Sequence, residues 1–463
     1  MRYVSTRGGG APADFSQVLL AGLAPDGGLY VPEEWPSFTS DQIAAFAGRP
    51  YWEVATEVLS RFTGNTFSRE RLGAICQDAY ATFAHPAVTP LKQLDSGLFL
   101  LELFHGPTLA FKDVAMQLLA RLYDAVLAGS GRTLTIVCAT SGDTGGAAVE
   151  ACRGARHARI VALFPEGRIS EVQRRFMTTA TDANVRTVAV KGSFDDCQAL
   201  VKAMFRDEAF RTEVDLSGVN SINWARIAAQ AVYYCVSAVA LGAPHRPVRF
   251  AVPTGNFGDA FAGYAARRMG LDVERITVAT NSNDIVARAL GDGRYQTGPV
   301  AVTQSPAMDI QVASNFERLY FEASRRDAVE TARAFEAFAG QGLIDLAPQA
   351  LAYMRDLFEG RMVSEDETAR TILSTLNETG EVIDPHTAVG VAAARYASAS
   401  SLPLVALSTA HPAKVPEAVR AATGAEPALH VRSRGLFDKA ERFDRLPADV
   451  EVAKAYVRTF VRG

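Results

Sequence analysis

The sequence predicts an α/β fold built on largely parallel sheet, joined to a mostly helical N-terminal region. Three observations predict it. From about residue 98, apolar runs of strand length alternate with amphipathic runs of helix length, the pattern of right-handed βαβ crossovers. Residues 1–90 lack that alternation. Several strand runs end in turns rich in glycine and hydroxyl residues, where ligands bind in open α/β sheets.

In the first part, Arg7-Gly-Gly-Gly-Ala-Pro12 is a loop, and Phe15, Val18, Leu19 and Leu20 begin a short helix. Residues 23–32 hold two glycines and two prolines and form turns. Residues 51–62 and 67–83 have helical apolar spacing. The expectation is a helical cap packed on the rest.

A strand over 98–104 leads into His105-Gly-Pro-Thr-Leu-Ala-Phe-Lys-Asp-Val114. Phe111, Ala115, Leu118, Leu119, Leu122 and Val126 then fall on one helical face. Lys112 therefore stands at a strand-to-helix turn, where the positive helix end disfavours its ammonium form. A lysine that holds its proton weakly can act as nucleophile or base. An ordinary surface lysine at a helix start fits the same spacing.

A strand over 133–139 follows, then the turn Thr140-Ser-Gly-Asp-Thr-Gly-Gly146 and a helix from about 147. Next come a strand (160–164), a helix (169–179), a strand (185–190) and a helix (195–205). A long helix over 223–241 precedes a strand over 248–252. That strand runs into Pro253-Thr-Gly-Asn-Phe-Gly-Asp259, a helix over 260–269 and a strand over 275–279. Residues 283–400 read as mostly helical, with a loop over 291–309. A strand over 402–407 ends in Ser408-Thr-Ala-His-Pro-Ala-Lys414, and the tail closes with a helix over 448–461.

Bulk properties narrow the function. The 463 residues suggest two or three domains. Composition is 48% hydrophobic and 21% charged, with a net charge of -4, so neither nucleic acid nor an anionic membrane is an expected partner. Five widely spaced cysteines without Cys-x-x-Cys suggest reduced thiols in a cytosol-like compartment. The seven scattered histidines form no metal motif. Residues 1–10 lack a signal-peptide core, and the apolar run 228–243 is too short for a membrane span and reads as a buried helix.

Three turns carry candidate chemistry. Gly255-Asn-Phe-Gly-Asp259 joins a strand to a helix and suits a phosphate cradle of backbone N–H groups. A tight turn that needs glycine fits it equally well. Ser141-Gly-Asp-Thr-Gly-Gly146 has hydroxyls suited to a carboxylate or phosphate, beyond what helix capping requires. In Ser408–Lys414, a hydroxyl suits a ring nitrogen, while His411 and Lys414 suit an anion. Arg226, at the start of the long helix, is a further cation, or simply a solvated helix-start arginine.

Taken together and in order, these segments resemble threonine synthases, a family of fold type II pyridoxal-phosphate enzymes. Ser305-Pro-Ala-Met-Asp-Ile-Gln-Val-Ala-Ser-Asn-Phe-Glu-Arg318 is similar to a family segment too. Tyr3-Val-Ser-Thr-Arg-Gly and Asp26-Gly-Gly-Leu-Tyr-Val-Pro32 resemble the family's N-terminal domain. The resemblance implies two open parallel-sheet lobes in residues 91–424, a helical N-terminal domain in 1–90, and a C-terminal tail, 425–463, packed on the core. It implies pyridoxal 5'-phosphate bound covalently by Lys112. Gly255, Asn256, Phe257, Gly258 and Asp259 would surround the cofactor phosphate, and Thr409 would meet the pyridine nitrogen. Ser141, Gly142, Asp143 and Thr144 would receive the substrate carboxylate, with Arg226 or Lys414 on the substrate phosphate. The implied reaction is γ-elimination from O-phospho-L-homoserine and β-addition of water, giving L-threonine, in a cytoplasmic monomer.

The rivals are threonine dehydratase, cysteine synthase or the β chain of tryptophan synthase on the same fold, or a relative that binds the cofactor without turnover. The separate first ninety residues and Met308-Asp-Ile…Ser314-Asn-Phe-Glu-Arg318 favour threonine synthase. A nicotinamide-dependent dehydrogenase is opposed by the absence of Gly-x-Gly-x-x-Gly after a strand.

Overall fold

Strands buried on both faces read as continuous apolar runs, and such runs build two separate sheets. The structure, a computed structural model, describes residues 1–219, 221–397 and 400–463. The first sheet has the order Phe358–Met362, Val273–Thr280, Val248–Pro253, Leu404–Ser408, Leu98–Glu102, Leu91–Gln93. Its neighbours are parallel except at the edge, where Leu91–Gln93 runs antiparallel to Leu98–Glu102. Val248–Pro253 and Leu404–Ser408, at its centre, are buried at every residue. The second sheet is parallel throughout, in the order Asp444–Pro447, Val185–Lys191, Ala158–Pro165, Leu134–Ala139, Leu216–Ser217.

The helix Trp224–Ala240 is apolar around nearly its whole circumference and is almost wholly buried, as an interior helix must be. It packs on Tyr51–Thr63, Lys112–Leu127 and Gly258–Arg268, joining the N-terminal part to the core. Trp224 lies between the rings of Tyr3, Trp35 and Phe62, with centroids 5.5–5.9 Å away. Among the described residues, no helix is long and apolar enough to cross a membrane. All five cysteines are buried and free.

Two expectations change and one gains a detail. The mostly helical first ninety residues also hold a short strand pair, Tyr3–Ser5 antiparallel to Tyr30–Pro32. The region 283–400 contains the strand Phe358–Met362, an edge of the first sheet paired with Val273–Thr280. Its charged residues disguise it, because an edge strand can turn them outward; the Thr277 hydroxyl donates to Glu359 at 2.6 Å. Lastly, the helix expected from about 147 starts at Asp143. Gly145, a loop signal in sequence, sits inside it because a Cβ there would meet the Thr140 Cγ2 at 2.3 Å.

Candidate active site

The carboxyl ends of Leu98–Glu102 and Leu404–Ser408 lie side by side in the sheet. This register brings the loop before Lys112 against the loop after Ser408. The Phe111 N–H donates to the Thr409 carbonyl at 2.8 Å, and Ala110 bridges Ala410. Gly106 is required here, since a Cβ would come within 2.4 Å of the Asp113 Cβ. Asp113 accepts from the Thr108 N–H and hydroxyl at 2.7 and 2.8 Å. Its burial pushes the carboxyl up to about 6.

Lys112 is the first residue of the helix Lys112–Leu127, and its side chain is 12% exposed. Its ammonium lies 4.8 Å from the centre of the Phe111 ring and 3.8 Å from Asp143 Oδ2. Burial pushes the Lys112 pKa down; Asp143 opposes this, while Lys414 and Arg226 reinforce it. The sequence attributes the weakly held proton to the helix end. In the structure, burial and neighbouring cations lower it.

Asp143 links three side chains. Its Oδ1 accepts from Lys414 at 2.8 Å and from Gln173 at 3.2 Å. Burial favours the neutral acid, but the charges of Lys414 and Lys112 outweigh it and hold the carboxyl well below its usual range. An anion so held repels another carboxylate, so the Asp143 side chain is no carboxylate receptor. What the turn offers is the first-turn N–H groups of its helix and the hydroxyls of Ser141 and Thr144. Gly142 has φ +132°, and a Cβ there would meet Gln173 Cδ at 2.5 Å. Thr140 fixes the turn by accepting from the Gly142 and Gly145 N–H groups at 2.9 and 2.8 Å.

The turn at 255–259 directs its side chains back into the protein. Phe257 adopts φ +62°, and its ring packs 5.3 Å from Phe358 and 6.0 Å from Phe316. The Asn256 carbonyl accepts from the Asn315 side chain at 3.0 Å. Asp259 accepts from Tyr233 at 2.5 Å and Tyr234 at 3.0 Å, and burial pushes its carboxyl up to about 6. The Asp259 carboxylate is thus turned away from any bound phosphate. Backbone N–H groups are what this turn supplies, at the start of Gly258–Arg268. Gly255 keeps the turn close to its cover, since a Cβ would lie 3.0 Å from Ile310 Cδ1 and 3.1 Å from the Ala307 carbonyl oxygen.

The two candidate phosphate cations differ. Lys414 is 1% exposed and paired, donating to Asp143 and to the Thr108 carbonyl at 2.8 Å. Its charge is already met by a carboxylate, which makes it the weaker of the two as a phosphate cation. Arg226 is also buried, but its Nε has no partner among the described residues, and burial lowers the guanidinium to about 10. The Thr409 side chain is buried near the end of its strand.

Sequence reasoning missed Asp384-Pro-His-Thr387. Asp384 caps the helix Pro385–Tyr396 and bonds His386 Nδ1 at 2.6 Å. His386 Nε2 accepts from the Ala307 N–H at 3.3 Å, placing the segment that covers Gly255. The Thr387 and Ser408 hydroxyls meet at 3.1 Å. Asp-Pro is a legible helix start; the contact with Ala307, 79 positions away, is not.

A buried lysine whose ammonium form is disfavoured suits a group held through an imine, and a buried guanidinium whose Nε has no partner among the described residues suits an anion. Pyridoxal phosphate and a phosphorylated substrate meet both demands. The family pattern described as pyridoxal-phosphate dependent enzyme matches residues 83–404, so the chain is an enzyme of this fold type II class. The patterns described as threonine synthase N terminus and threonine synthase, C-terminal match residues 2–80 and 387–457. A threonine synthase of Pseudomonas aeruginosa is 50% identical, over 99% of this chain and 98% of the relative. The crystal structure of pyridoxal-phosphate-bound threonine synthase from Brucella melitensis is 52% identical and covers 100% of both chains, with a TM-score of 0.98. That of threonine synthase from Escherichia coli is 32% identical, covering 99% of this chain and 100% of that one, with a TM-score of 0.83. The chain belongs to the threonine synthase family.

Proposed function

We propose that the chain converts O-phospho-L-homoserine and water into L-threonine and phosphate, the final step of threonine biosynthesis. The observation that carries this reading is the buried Lys112 amine, 3.8 Å from Asp143, with Arg226, whose Nε has no partner among the described residues, among the groups that lower it. When bound, pyridoxal phosphate supplies the electron sink for charge at the substrate Cα.

Lys112 would hold the cofactor covalently and, when its amine is free, serves as the proton carrier. Its Nζ takes the Cα proton and, once it has passed that proton on, the Cβ proton. Phosphate leaves Cγ with the bonding electrons as the Cβ–Cγ double bond forms. Only then do protons return, to Cγ and, after water has added at Cβ, to Cα. One group serving several transfers works best with a pKa near the working pH, which suits a lowered lysine. Main-chain N–H groups of Gly255, Asn256, Phe257, Gly258 and Asp259 would hold the cofactor phosphate, and the Thr409 hydroxyl would serve its pyridine nitrogen. Ser141, Thr144 and the N–H groups of Asp143 and Thr144 would orient the substrate carboxylate, with Gly142 shaping the turn, and Arg226 would meet the leaving phosphate.

Residues 1–90, 91–424 and 425–463 are read as N-terminal domain, catalytic core and tail of a cytoplasmic monomer with no nucleic-acid or membrane partner. Light scattering on the purified protein tests the monomer. Phosphate release from O-phospho-L-homoserine tests the reaction. Ammonia and 2-oxobutyrate from threonine, without phosphate release from phosphohomoserine, would identify a dehydratase instead.

A further inference from the structure

Asp143 stands between two lysines, each facing a different oxygen. Lys414 Nζ lies 2.8 Å from Oδ1 and Lys112 Nζ 3.8 Å from Oδ2. We propose that Lys414 and Asp143 are positioning residues for Lys112: Lys414 takes one carboxylate oxygen, leaving the other as a half-neutralised counter-ion that orients the Lys112 amine without locking its proton in place. This rests on the reading of Lys112 as proton carrier.

Three features support it. Lys414 has no solvent to receive its charge, being 1% exposed, and its remaining bond, to the Thr108 carbonyl at 2.8 Å, anchors it beside the Lys112 loop. Gln173 donates to the same Asp143 Oδ1 at 3.2 Å, so two donors hold that oxygen on the Lys414 side and leave Oδ2 towards Lys112. Finally, a buried carboxylate with no second cation would hold a lysine firmly as its ammonium, since charges attract strongly away from water. A base must give up its proton as readily as it takes one. A second lysine on the same carboxylate weakens that hold while keeping the carboxylate ionised.

The other charges around Lys112 act in known directions. Asp143, from the helix Asp143–Cys152, favours its ammonium form, as does Asp113 on its own helix. Lys414, after the strand Leu404–Ser408, and Arg226, on Trp224–Ala240, oppose it. His386, on Pro385–Tyr396, acts on Asp143. Removing Asp143 and removing Lys414 must therefore shift Lys112 in opposite senses, which the loss of a merely structural ion pair does not predict.

The test is the pH dependence of Lys112 acetylation by acetic anhydride in the full-length, cofactor-stripped chain, read by peptide mass spectrometry. Asp143→Asn is expected to lower the midpoint, and Lys414→Met to raise it, each by about one pH unit, a tenfold change. In the loaded enzyme, the acid limb of kcat for phosphate release moves the same way for each variant. If Lys414→Met does not fold, Lys414→Gln, which can still donate to the Thr108 carbonyl, replaces it with the same expected rise. Midpoints that move in the same direction, or not at all, overturn the proposal. Acetylation needs no substrate, so opposite shifts without phosphate release would overturn the assigned reaction and leave the pairing intact.

Discussion

Arg318 donates through Nε to the carbonyl oxygen of Tyr30 at 3.0 Å, a bond between positions 288 residues apart. The same guanidinium donates to the Ile222 carbonyl at 2.6 Å and to the Asn315 side chain. It thereby ties the N-terminal strand pair, the start of the long buried helix and the segment beside Asn256 into one block. Burial lowers this guanidinium to about 9, so its bonds, not solvation, keep it charged.

Arg318→Met is expected to destabilise the protein by about 3 kcal/mol, because buried carbonyls are left without donors. The drop in the urea midpoint measures it. A change below about 1 kcal/mol would show that the bracket carries little of the stability.

Asp259 makes stability depend on pH. Its folded carboxyl is raised from 3.8 to about 6 by burial, so between those values the folded state binds more protons than the unfolded. Stability contributed here therefore falls as pH rises from about 4 through 6, and the penalty is complete above that. Asp259→Asn carries no such penalty. Its stability relative to the parent should improve on going from pH 4.5 to 7.5, by on the order of 2 kcal/mol. Urea titrations at both pH values compare the pair, and a constant difference would contradict the assignment.

Gly142 and Gly146 lie in one turn yet should respond differently to alanine. At Gly142 the backbone has φ +132° and a Cβ meets Gln173 at 2.5 Å, displacing a side chain that bonds Asp143. Gly142→Ala should cost about 1–3 kcal/mol and lower phosphate release by at least about tenfold. At Gly146 the nearest atom is the Phe176 Cβ at 3.6 Å, an ordinary contact within a helix. Gly146→Ala should be neutral or stabilising by up to about 1 kcal/mol. Melting curves and phosphate release on both variants check the contrast.

Lys112→Ala should abolish turnover, with at least a roughly 10³-fold loss, while circular dichroism and the melting curve remain close to those of the parent. Near-parental phosphate release in that variant would overturn the central assignment. Thr409→Val keeps the shape and removes the hydroxyl, so it should lower kcat with little change in melting temperature.

Much of the site's framework was legible because ligand-binding turns follow strands. The runs ending near 104, 139, 252 and 407 were visible as apolar stretches, and the small residues after them as turns. Edge strands were less visible. Phe358–Met362 and Asp444–Pro447 carry charges that only a free edge tolerates, so their composition resembles loop or helix. Gly145 misled in the other direction: it signals a loop locally, but it is needed for the close approach to Thr140.

By itself, the sequence determined the alternation of strands and helices, the Lys112 turn, the ordered motifs and, through them, the family. Those properties are local, set by periodicity and by residue types at fixed spacing. Tertiary structure decided which side chains serve the site and which serve the scaffold. Asp259 turned to two tyrosines, Lys414 closed on Asp143, and the Arg226 Nε was left without a partner among the described residues. Charge, burial and partnership depend on what the fold brings within a few ångströms, and residues as distant as 143 and 414 carry no mutual signal along the chain.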